Sequence, residues 1–585
     1  MANKSDVFQR LIGLETEYAL LLPSQARRGR ANRYGFFRDL LLALRRRLPT
    51  VPARHMKEGV FHAAGGAVWF ETERPAMGGG LVEGSTPECR SPRQLVAWQR
   101  AQDELLAEAA DEASGGTVRL IKNDRDAAGN VYGAQENYEA TLADSWRLWL
   151  WRAALVLLAP LALMTWLVLW LLDRAIVVYA LAATVVYLLS ERLLARPERL
   201  SQLLFGCDIK DLENETPTGP AWLESCLSVA TRVITAPLAA LLFSAIWLTA
   251  FVRIRRLMLP FLIGRPIVSG SGWIDDEGNF QLADKAPALN CVTGLGGFVG
   301  DRPIFSFGHF FKVVNADAGL LLTEYCRLFS GRQRLQIALG DSNMCETAEY
   351  LRVGTTLLVL DCIEAGEMPR APRIRRPVRG LRSICADPTL AARVSLSRGR
   401  WATALELQHF YLEACRRFLD RRGNAPSEAR DILHRWELAL EALADDPRSL
   451  VGALDWPTKQ FVLDKAGRRA SWQARKKIDI RYHELSPQGY FQRLRIAGMV
   501  QELLDRAEID HARRNPPSGT PATARGRYIR EFALEGDEVT ANWRAVFLNP
   551  PDGPRRVIRL DGYRKPLGDG SSAGRRKSRR DASGG

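Results

Sequence analysis

Three long stretches without a charged residue interrupt the middle of this 585-residue chain. They cover residues 153–172, 175–190 and 233–252. A helix needs about 20 apolar residues to cross a bilayer core of ~30 Å, so the first and third stretches are long enough and the second is short. Because a buried helix of a soluble domain normally keeps a polar stripe, the pattern predicts a helical transmembrane insertion at residues 141–255.

The net charge of +15 at pH 7 raises the question of nucleic acid, since basic surfaces attract phosphates. The excess is spread along most of the chain, however. Its one dense cluster, at residues 575–580, lies in a Gly- and Ser-rich segment, residues 567–585, that we expect to be a disordered basic tail. The pattern favours solvated arginine and attraction to an anionic lipid bilayer, with no nucleic acid as partner.

The segments on either side of the insertion have the patterns of a soluble α+β protein. Short, partly alternating runs predict strands at residues 10–20 and 67–73. Helices are predicted at residues 92–114, 352–365 and 402–419, the first with Pro92 near its start.

Acidic residues recur on the predicted strands. Glu15 and Glu17 share one face of a strand, as do Glu71 and Glu73, because side chains alternate with period two. Hard cations such as Mg²⁺ prefer oxygen ligands. A solvated strand residue is the alternative for each acid taken alone. The acids considered as metal ligands are Glu15, Glu17, Glu83 and Glu136.

A polar turn, Gly340-Asp341-Ser342-Asn343-Met344, precedes a predicted helix that begins near Glu346. Ser342 or Asn343 would suit a helix cap. A helix start can also hold an anionic phosphate, so Asp341 and Asn343 are candidate cofactor-binding residues.

The segments GLETEYAL (13–20), EGSTPEC (83–89) and GDSNMCET (340–347), with others in the same order along the chain, resemble those of a known family. It is the Pup ligase and Pup deamidase family, whose members attach or remove the small protein modifier Pup. The likeness covers most of the chain outside residues 140–255 and the tail. Two of its segments, LDWPTK and NPPSGT, look nearer the deamidase (depupylase) branch. The main segments are GLETEYAL (13–20), EGSTPEC (83–89), IKNDRDAAGNVYGAQENY (121–138), GDSNMCET (340–347), LDWPTK (454–459) and NPPSGT (515–520).

The resemblance implies a glutamine-synthetase-like domain, with a curved antiparallel sheet and helices, in residues 1–140 and 256–475. It implies a small C-terminal domain in residues 476–566. The family uses ATP and Mg²⁺ to activate the side-chain carboxylate of Pup's C-terminal Glu for attack by a target lysine. The other branch hydrolyses that bond or deamidates a C-terminal Gln.

The resemblance also implies roles for individual residues. Glu15 and Glu83 should bind magnesium, Thr86 should contact ATP, and Trp543 should pack on the nucleotide. Asp341 and Asn343 lie in the matching GDSN turn.

The strand before EGSTPEC departs from the family pattern. Relatives carry Arg, Tyr and a catalytic Asp there at alternate positions, and the simplest alignment puts Val68, Phe70 and Thr72 in their place. A shift by one residue puts Glu71 in the position of the Asp. We therefore predict that Glu71 or Glu73 is the catalytic carboxylate.

Two alternatives remain open at this level. One is a membrane-tethered pseudoenzyme that binds nucleotide or a Pup-like partner without turnover. The other is a ligase that acts on a different, small amine.

The resemblance also constrains the insertion. Its flanking segments match one continuous domain, so the insertion must cross the bilayer an even number of times. The flanking arginines favour a hairpin of the first two stretches that turns at Asp173-Arg174, with the third stretch on the inner surface. The alternative pairs the first stretch with the third. Both versions predict a multi-pass protein of the inner membrane with its catalytic domain in the cytoplasm.

Overall fold

The computed structural model contains runs of strands and runs of helices along the chain, as expected for an α+β fold. It describes residues 7–22, 33–54, 57–71, 80–126, 129–191, 197–206, 220–297, 300–312, 324–467, 470–533, 538–549 and 554–560. The predicted tail at 567–585 lies outside these residues.

The strands are short except for the first. They are β1 (Ile12–Leu21), β2 (Thr50–Pro52), β3 (Gly59–His62), β4 (Ala67–Glu71), β5 (Leu81–Ser85), β6 (Arg119–Ile121), β7 (Gln135–Thr141), β8 (Trp273–Ile274), β9 (Phe280–Gln281), β10 (Cys291–Gly294), β11 (Pro303–Ser306), β12 (Arg332–Ile337), β13 (Arg393–Ser395), β14 (Trp401–Thr403), β15 (Glu538–Ala541), β16 (Ala545–Asn549) and β17 (Arg556–Arg559).

The helices include two that are much longer than the rest. They are α1 (Arg33–Arg47), α2 (Pro92–Ser114), α3 (Ser145–Glu191), α4 (Pro197–Phe205), α5 (Ala221–Thr249), α6 (Val252–Gly264), α7 (Pro266–Ser269), α8 (Gly308–Lys312), α9 (Glu346–Glu364), α10 (Pro377–Cys385), α11 (Ala404–Asp420), α12 (Ser427–Asp445), α13 (Asp455–Lys465), α14 (Trp472–Tyr482), α15 (Tyr490–Ile496), α16 (Arg506–Arg514) and α17 (Pro521–Phe532).

A ten-stranded sheet organises the chain. Its strand order is β10-β11-β12-β7-β1-β5-β4-β3-β2, and β6 pairs with the end of β1. The pairing of β10 with β11 is parallel, and the other pairings in this sheet are antiparallel. The predicted antiparallel sheet is therefore largely confirmed, with one parallel edge.

Helix α2 packs against β1 and shows why this segment is helical. The side chain of Ser91 accepts a hydrogen bond from the backbone N–H of Gln94 (3.2 Å), and Pro92 follows in the first turn. Gly115 ends the helix in the left-handed conformation, with φ of 58°. The predicted boundaries are confirmed.

Helix α9 crosses the core, and nearly all its residues are buried. Such all-round burial requires apolar side chains on every face, which the run Leu357–Leu360 supplies. The helices predicted at 352–365 and 402–419 correspond to α9 and α11, each shifted by a few residues.

The predicted insertion contains α3, α4 and α5. Helix α3 has 47 residues and is about 70 Å long at 1.5 Å per residue. It continues through Asp173 and Arg174, so the predicted turn at that pair is wrong. Neither residue breaks a helix, and they form an ion pair on its exposed surface (2.5 Å).

The α3–α5 packing corresponds to the alternative pairing of the first apolar stretch with the third. The backbone N–H of Phe251 donates to the carbonyl of Leu142 (2.5 Å), so the insertion leaves and rejoins the domain at one point. Trp151 is fully buried at the base of α3 and donates to the carbonyl of Leu328 (2.7 Å).

The C-terminal segment packs against the β2–β3 edge of the sheet. Arg525 of α17 is fully buried and pairs with Glu88 through both guanidinium ends, at 3.1 and 2.5 Å. It also donates to the carbonyl of Gly65 (2.6 Å). The proposed domain boundaries remain predictions.

Candidate active site

Strand β1 separates an apolar face from an acidic face. Its burial alternates strictly from Ile12 to Tyr18, and Thr16 and Tyr18 are buried against α2. The hydroxyl of Tyr18 donates to Asp103 of that helix (2.7 Å). Glu15 and Glu17 therefore lie together on the opposite face, as the sequence predicts.

Two further carboxylates join them from β5 and β4. Glu83 lies directly opposite Glu17 in the β1–β5 pairing. On β4, Trp69 lies opposite Glu83. Glu71 comes two residues after Trp69, so its side chain is on the same face as Trp69 and Glu83. We call Glu15, Glu17, Glu71 and Glu83 the acidic face. Glu73 lies outside the described residues.

Basic and amide side chains partly neutralise the acidic face. The ammonium of Lys57 contacts Glu71 and lies 2.5 Å from Glu83. Arg334 lies 3.1 Å from Glu15, which also accepts hydrogen bonds from Asn137 (3.2 Å) and Gln336 (3.3 Å).

The acids of this face differ in their electrostatics. Burial, reinforced by the other three carboxylates and opposed by Lys57, raises the pKa of Glu83 to about 8. Burial also raises the pKa of Glu17 to about 7. Burial alone would raise the pKa of Glu15, but Arg334 and Lys57 together lower it. Burial and repulsion between the carboxylates thus keep Glu83 and Glu17 from ionising fully at neutral pH.

Glu136, predicted as a fourth metal ligand, lies on the other face of the sheet. It is fully buried and accepts hydrogen bonds from Arg265 at 2.8 and 2.6 Å and from the hydroxyl of Tyr138 at 2.7 Å. Because neighbouring residues on a strand point to opposite faces, Asn137 occupies the acidic face instead. The structure therefore does not bring Glu136 together with the other three predicted ligands.

Thr86 lies beside the acidic face, but its hydroxyl serves the backbone. The hydroxyl accepts a hydrogen bond from the backbone N–H of Leu14 at 2.9 Å. The backbone N–H of Thr86 donates to the carbonyl of Leu14 at the same distance. The residue is 3% exposed. The structure thus shows Thr86 fixing the strand next to Glu15.

Asp341 and Asn343 are buried in a loop–loop junction. The carboxylate of Asp341 accepts hydrogen bonds from the backbone N–H groups of Ser271 (2.8 Å), Asp284 (2.8 Å) and Lys285 (2.9 Å). The amide of Asn343 donates to Asp455 (3.1 Å). These contacts use the GDSN turn to join distant loops, and the structure does not place either side chain on the acidic face.

Trp543 lies at the turn between β15 and β16. Its half-buried ring packs edge-on against Phe61, with ring centroids 5.0 Å apart, and the guanidinium of Arg525 lies 4.8 Å from the centre of the indole. The aromatic ring therefore joins the C-terminal sheet to β3. Contact with a nucleotide remains a prediction.

Sequence reasoning missed the basic and amide residues of this face. Arg334 and Gln336 had a usable signal, because polar residues alternate with apolar ones along β12. Lys57 had none, since it reaches the acids from the segment before β3.

The Pup-ligase protein family profile matches residues 10–547. The chain belongs to the Pup ligase family. It is 29% identical over 508 residues to the depupylase of Acidothermus cellulolyticus, covering 83% of this chain and 77% of that protein. It is 32% identical over 307 residues to the Pup deamidase/depupylase of Mycolicibacterium smegmatis, covering 50% of this chain and 57% of that protein.

Relatives from the ligase branch are similar as well. The chain is 25% identical over 585 residues to the Pup–protein ligase of Corynebacterium kroppenstedtii, covering 96% of both proteins. The fold resembles that of the ligase PafA in the crystal structure of its complex with Pup. The TM-score is 0.63 at 21% identity, and the match covers 95% of this chain and 90% of that one. PafA in complex with ADP matches with a TM-score of 0.56.

The register of β4 shows which of its side chains lie on the acidic face. It therefore bears on the two possible alignments of this strand to the Pup ligase family, one through Val68 and Phe70 and one shifted by a residue. Val68 and Phe70 point into the core and are 1% and 8% exposed. Ala67, Trp69 and Glu71 share the face of Glu83. Of the two alignments, only the one shifted by one residue uses Glu71, which lies on the acidic face, and the catalytic role of Glu71 remains a prediction.

The donor chemistry of the acidic face suits a hard cation such as Mg²⁺, because it consists of carboxylate and amide oxygens. Within the residues that the structure describes, no three acidic, His or Cys side chains converge closely enough to hold a metal. Lys57 and Arg334 engage these oxygens instead. The oxygen donors of these residues fit the metal chemically, although in the present arrangement they bind the protein's own cations.

Proposed function

We propose that this chain is an ATP- and Mg²⁺-dependent enzyme that forms or hydrolyses the amide bond at the C-terminal Glu or Gln of a Pup-like modifier. The observation that carries the proposal is the acidic face, where Glu71 of β4 lies on the same side of the sheet as Glu83, Glu15 and Glu17. The family's two activities, ligation and depupylation, use opposite directions of the same bond chemistry.

Glu71 is the proposed catalytic carboxylate. Lys57 holds it in an ion pair, which fixes the direction in which this candidate base or nucleophile points. The Glu71 side chain is 29% exposed, so a substrate can reach it.

Glu15, Glu17 and Glu83 are the proposed Mg²⁺ ligands. ATP with Mg²⁺, when bound, supplies the activated phosphoryl group that the carboxylate–amine chemistry requires. Arg334 would remain close to Glu15 and orient it, together with Asn137. The structure of PafA in complex with ADP supports the use of a nucleotide by this chain.

Intact-mass analysis tests the proposed activity directly. The detergent-purified protein is incubated with ATP, Mg²⁺ and one of three substrates: a Pup-like protein that ends in Gln, one that ends in Glu together with a lysine-bearing target protein, or one already joined to a target lysine. We expect one of the three to be converted. Glu71→Gln should lower the rate by about 10²–10⁴-fold, as the loss of a catalytic acid or base does.

Glu139→Gln is the matched control. Glu139 lies on β7, on the same side of the sheet as Asn137, but it is not one of the four carboxylates of the acidic face. If wild type and Glu71→Gln turn over at equal rates, Glu71 is not catalytic. If the wild type binds nucleotide yet converts none of these substrates, and also leaves small amines unmodified, the result supports the pseudoenzyme alternative. That alternative draws support from Ala67 and Trp69, which replace the family's Arg and Tyr on this face.

We also propose that α3 and α5 anchor the protein in the inner membrane. Among the described residues, these two helices are long and apolar enough to cross a bilayer by length and composition. Core helices of soluble proteins can meet the same criterion, but such helices are mostly buried. Here 17% and 22% of the most apolar window of each helix is buried, and Leu157, Leu181 and Trp247 are at least 59% exposed.

Two exposed cysteines test the anchoring. Cys226 lies near the start of α5, at the end of the α3–α5 pair that is away from the domain. Cys326 lies on the domain. A membrane-impermeant maleimide on intact cells should label Cys226, or a cysteine introduced by Glu224→Cys, and should spare Cys326. Equal labelling of both positions in intact and permeabilised cells would exclude a crossing.

A further inference from the structure

Lys57 occupies the centre of the acidic face. Its ammonium contacts Glu71 and lies 2.5 Å from Glu83, the two carboxylates contributed by β4 and β5. Its charge also acts on Glu15 and Glu17. One ammonium group thus interacts with all four acids.

A lysine in this place competes with a divalent cation for the same oxygens. Mg²⁺ binds carboxylate oxygens at about 2.0–2.1 Å and requires a nearly ideal octahedron of ligands. Two cations that share the same two carboxylates also repel each other strongly in a partly desolvated site. The ammonium must therefore leave Glu83 before that carboxylate can enter a metal shell.

We propose that Lys57 is a built-in competitor for the metal position at Glu83. In the metal-free protein its ammonium fills that position, and a divalent cation enters only by displacing it. The carboxylates consequently bind metal more weakly than they would without this lysine. The inference rests on the proposed function, because that function assigns the metal to this face.

The side chain has room to leave. Lys57 is 22% exposed, and it lies in the segment before β3 rather than inside a strand. A substrate phosphate would give the displaced ammonium a new partner. Lys57 would then link metal entry to nucleotide entry.

The test is a titration of the full-length, nucleotide-free protein with Mn²⁺ alone, followed by the electron paramagnetic resonance signal of the free ion. Lys57→Met removes the ammonium but keeps the length of the side chain. We expect this variant to bind Mn²⁺ at least about tenfold more tightly than wild type, because the carboxylates lose their competitor. Lys57→Gln, checked for folding by circular dichroism, should show the same direction.

Lys312→Met is the matched control. Lys312, on α8, also lowers the pKa of Glu15 through its charge, so its removal changes the net charge near the site by the same amount. We expect less than about threefold tightening in this variant, since general field effects of one nearby charge are screened by solvent. Equal tightening in both variants would overturn the inference in favour of a net-charge effect.

Unchanged or weaker Mn²⁺ binding in both Lys57 variants would also overturn it, while leaving the metal site and the proposed function standing. No Mn²⁺ binding by any of the proteins, wild type included, would contradict the metal site itself and the inference with it.

Discussion

The two faces of the central sheet treat their glutamates in opposite ways. On one face, Glu136 is fully buried and both its oxygens are held by the buried guanidinium of Arg265. On the other face, four carboxylates share the ammonium of Lys57 and the half-exposed guanidinium of Arg334. The first arrangement is a closed, compensated pair. The second crowds four carboxylates together and raises the pKa of Glu83 and Glu17, and such perturbed groups are typical of a functional site.

Breaking the compensated pair should have the largest effect on stability. Arg265→Met leaves Glu136 buried without its partner, which typically costs about 3–5 kcal/mol. We expect a corresponding loss in the free energy of unfolding, measured by denaturant titration in detergent. Arg334→Met removes the analogous partner of Glu15 on the acidic face, where the arginine is 39% exposed, and should cost less than about 1 kcal/mol. Equal losses in the two variants would remove the distinction between the faces.

Removing the hydroxyl of Thr86 should have an effect on stability between those of the two arginine substitutions. Thr86→Val leaves the N–H of Leu14 without its side-chain acceptor inside the protein, which should cost about 1–3 kcal/mol of stability. Nucleotide affinity should change little if Thr86 acts only on the strand. Calorimetry that showed a large loss of affinity with unchanged stability would instead support the sequence-based role of Thr86 as an ATP contact.

The acidic face should make stability fall with rising pH. The pKa of Glu83 is raised from an ordinary value of 4.5 to about 8, so between these values the folded protein holds a proton that the unfolded chain has released. Raising the pH through this window therefore destabilises the fold.

Glu83→Gln removes this contribution. In EDTA, its Tm should exceed that of the wild type by a few degrees at pH 8.5, and by less at pH 6. Differential scanning fluorimetry measures both differences. A gap that is constant or narrows with pH would show that Glu83 is not held protonated by its surroundings.

The features that could be predicted from the sequence are those that depend on local periodicity, such as strand faces and helix boundaries. The alternation of ETE in β1 placed Glu15 and Glu17 on one face, and the capping signals of α2 gave its boundaries. Prediction from the sequence failed for Glu136, because a shift of one residue in a strand moves a side chain to the opposite face. It also failed for Lys57, whose contacts depend on chain segments brought together only in the folded protein.

The insertion likewise has local features that the sequence predicted and a packing arrangement that it did not. Its apolar composition predicted long helices, and α3 and α5 are long. The pairing of these helices could not be predicted from the flanking charges. Asp173 and Arg174 suggested a turn, but without Gly or Pro at that point the helix continues.

The direct test of the central claim, that the acidic face binds nucleotide with a metal ion, is a calorimetric titration with ATP and Mg²⁺. Glu83→Gln and Glu139→Gln make the same substitution on the same face of the sheet, inside and outside the acidic face. Glu83→Gln should weaken binding by at least about tenfold, since Mg²⁺ sites depend on one or two carboxylates, and Glu139→Gln should leave affinity within about twofold of wild type. Unchanged affinity in Glu83→Gln, or equal losses in both variants, would contradict the assignment of this face.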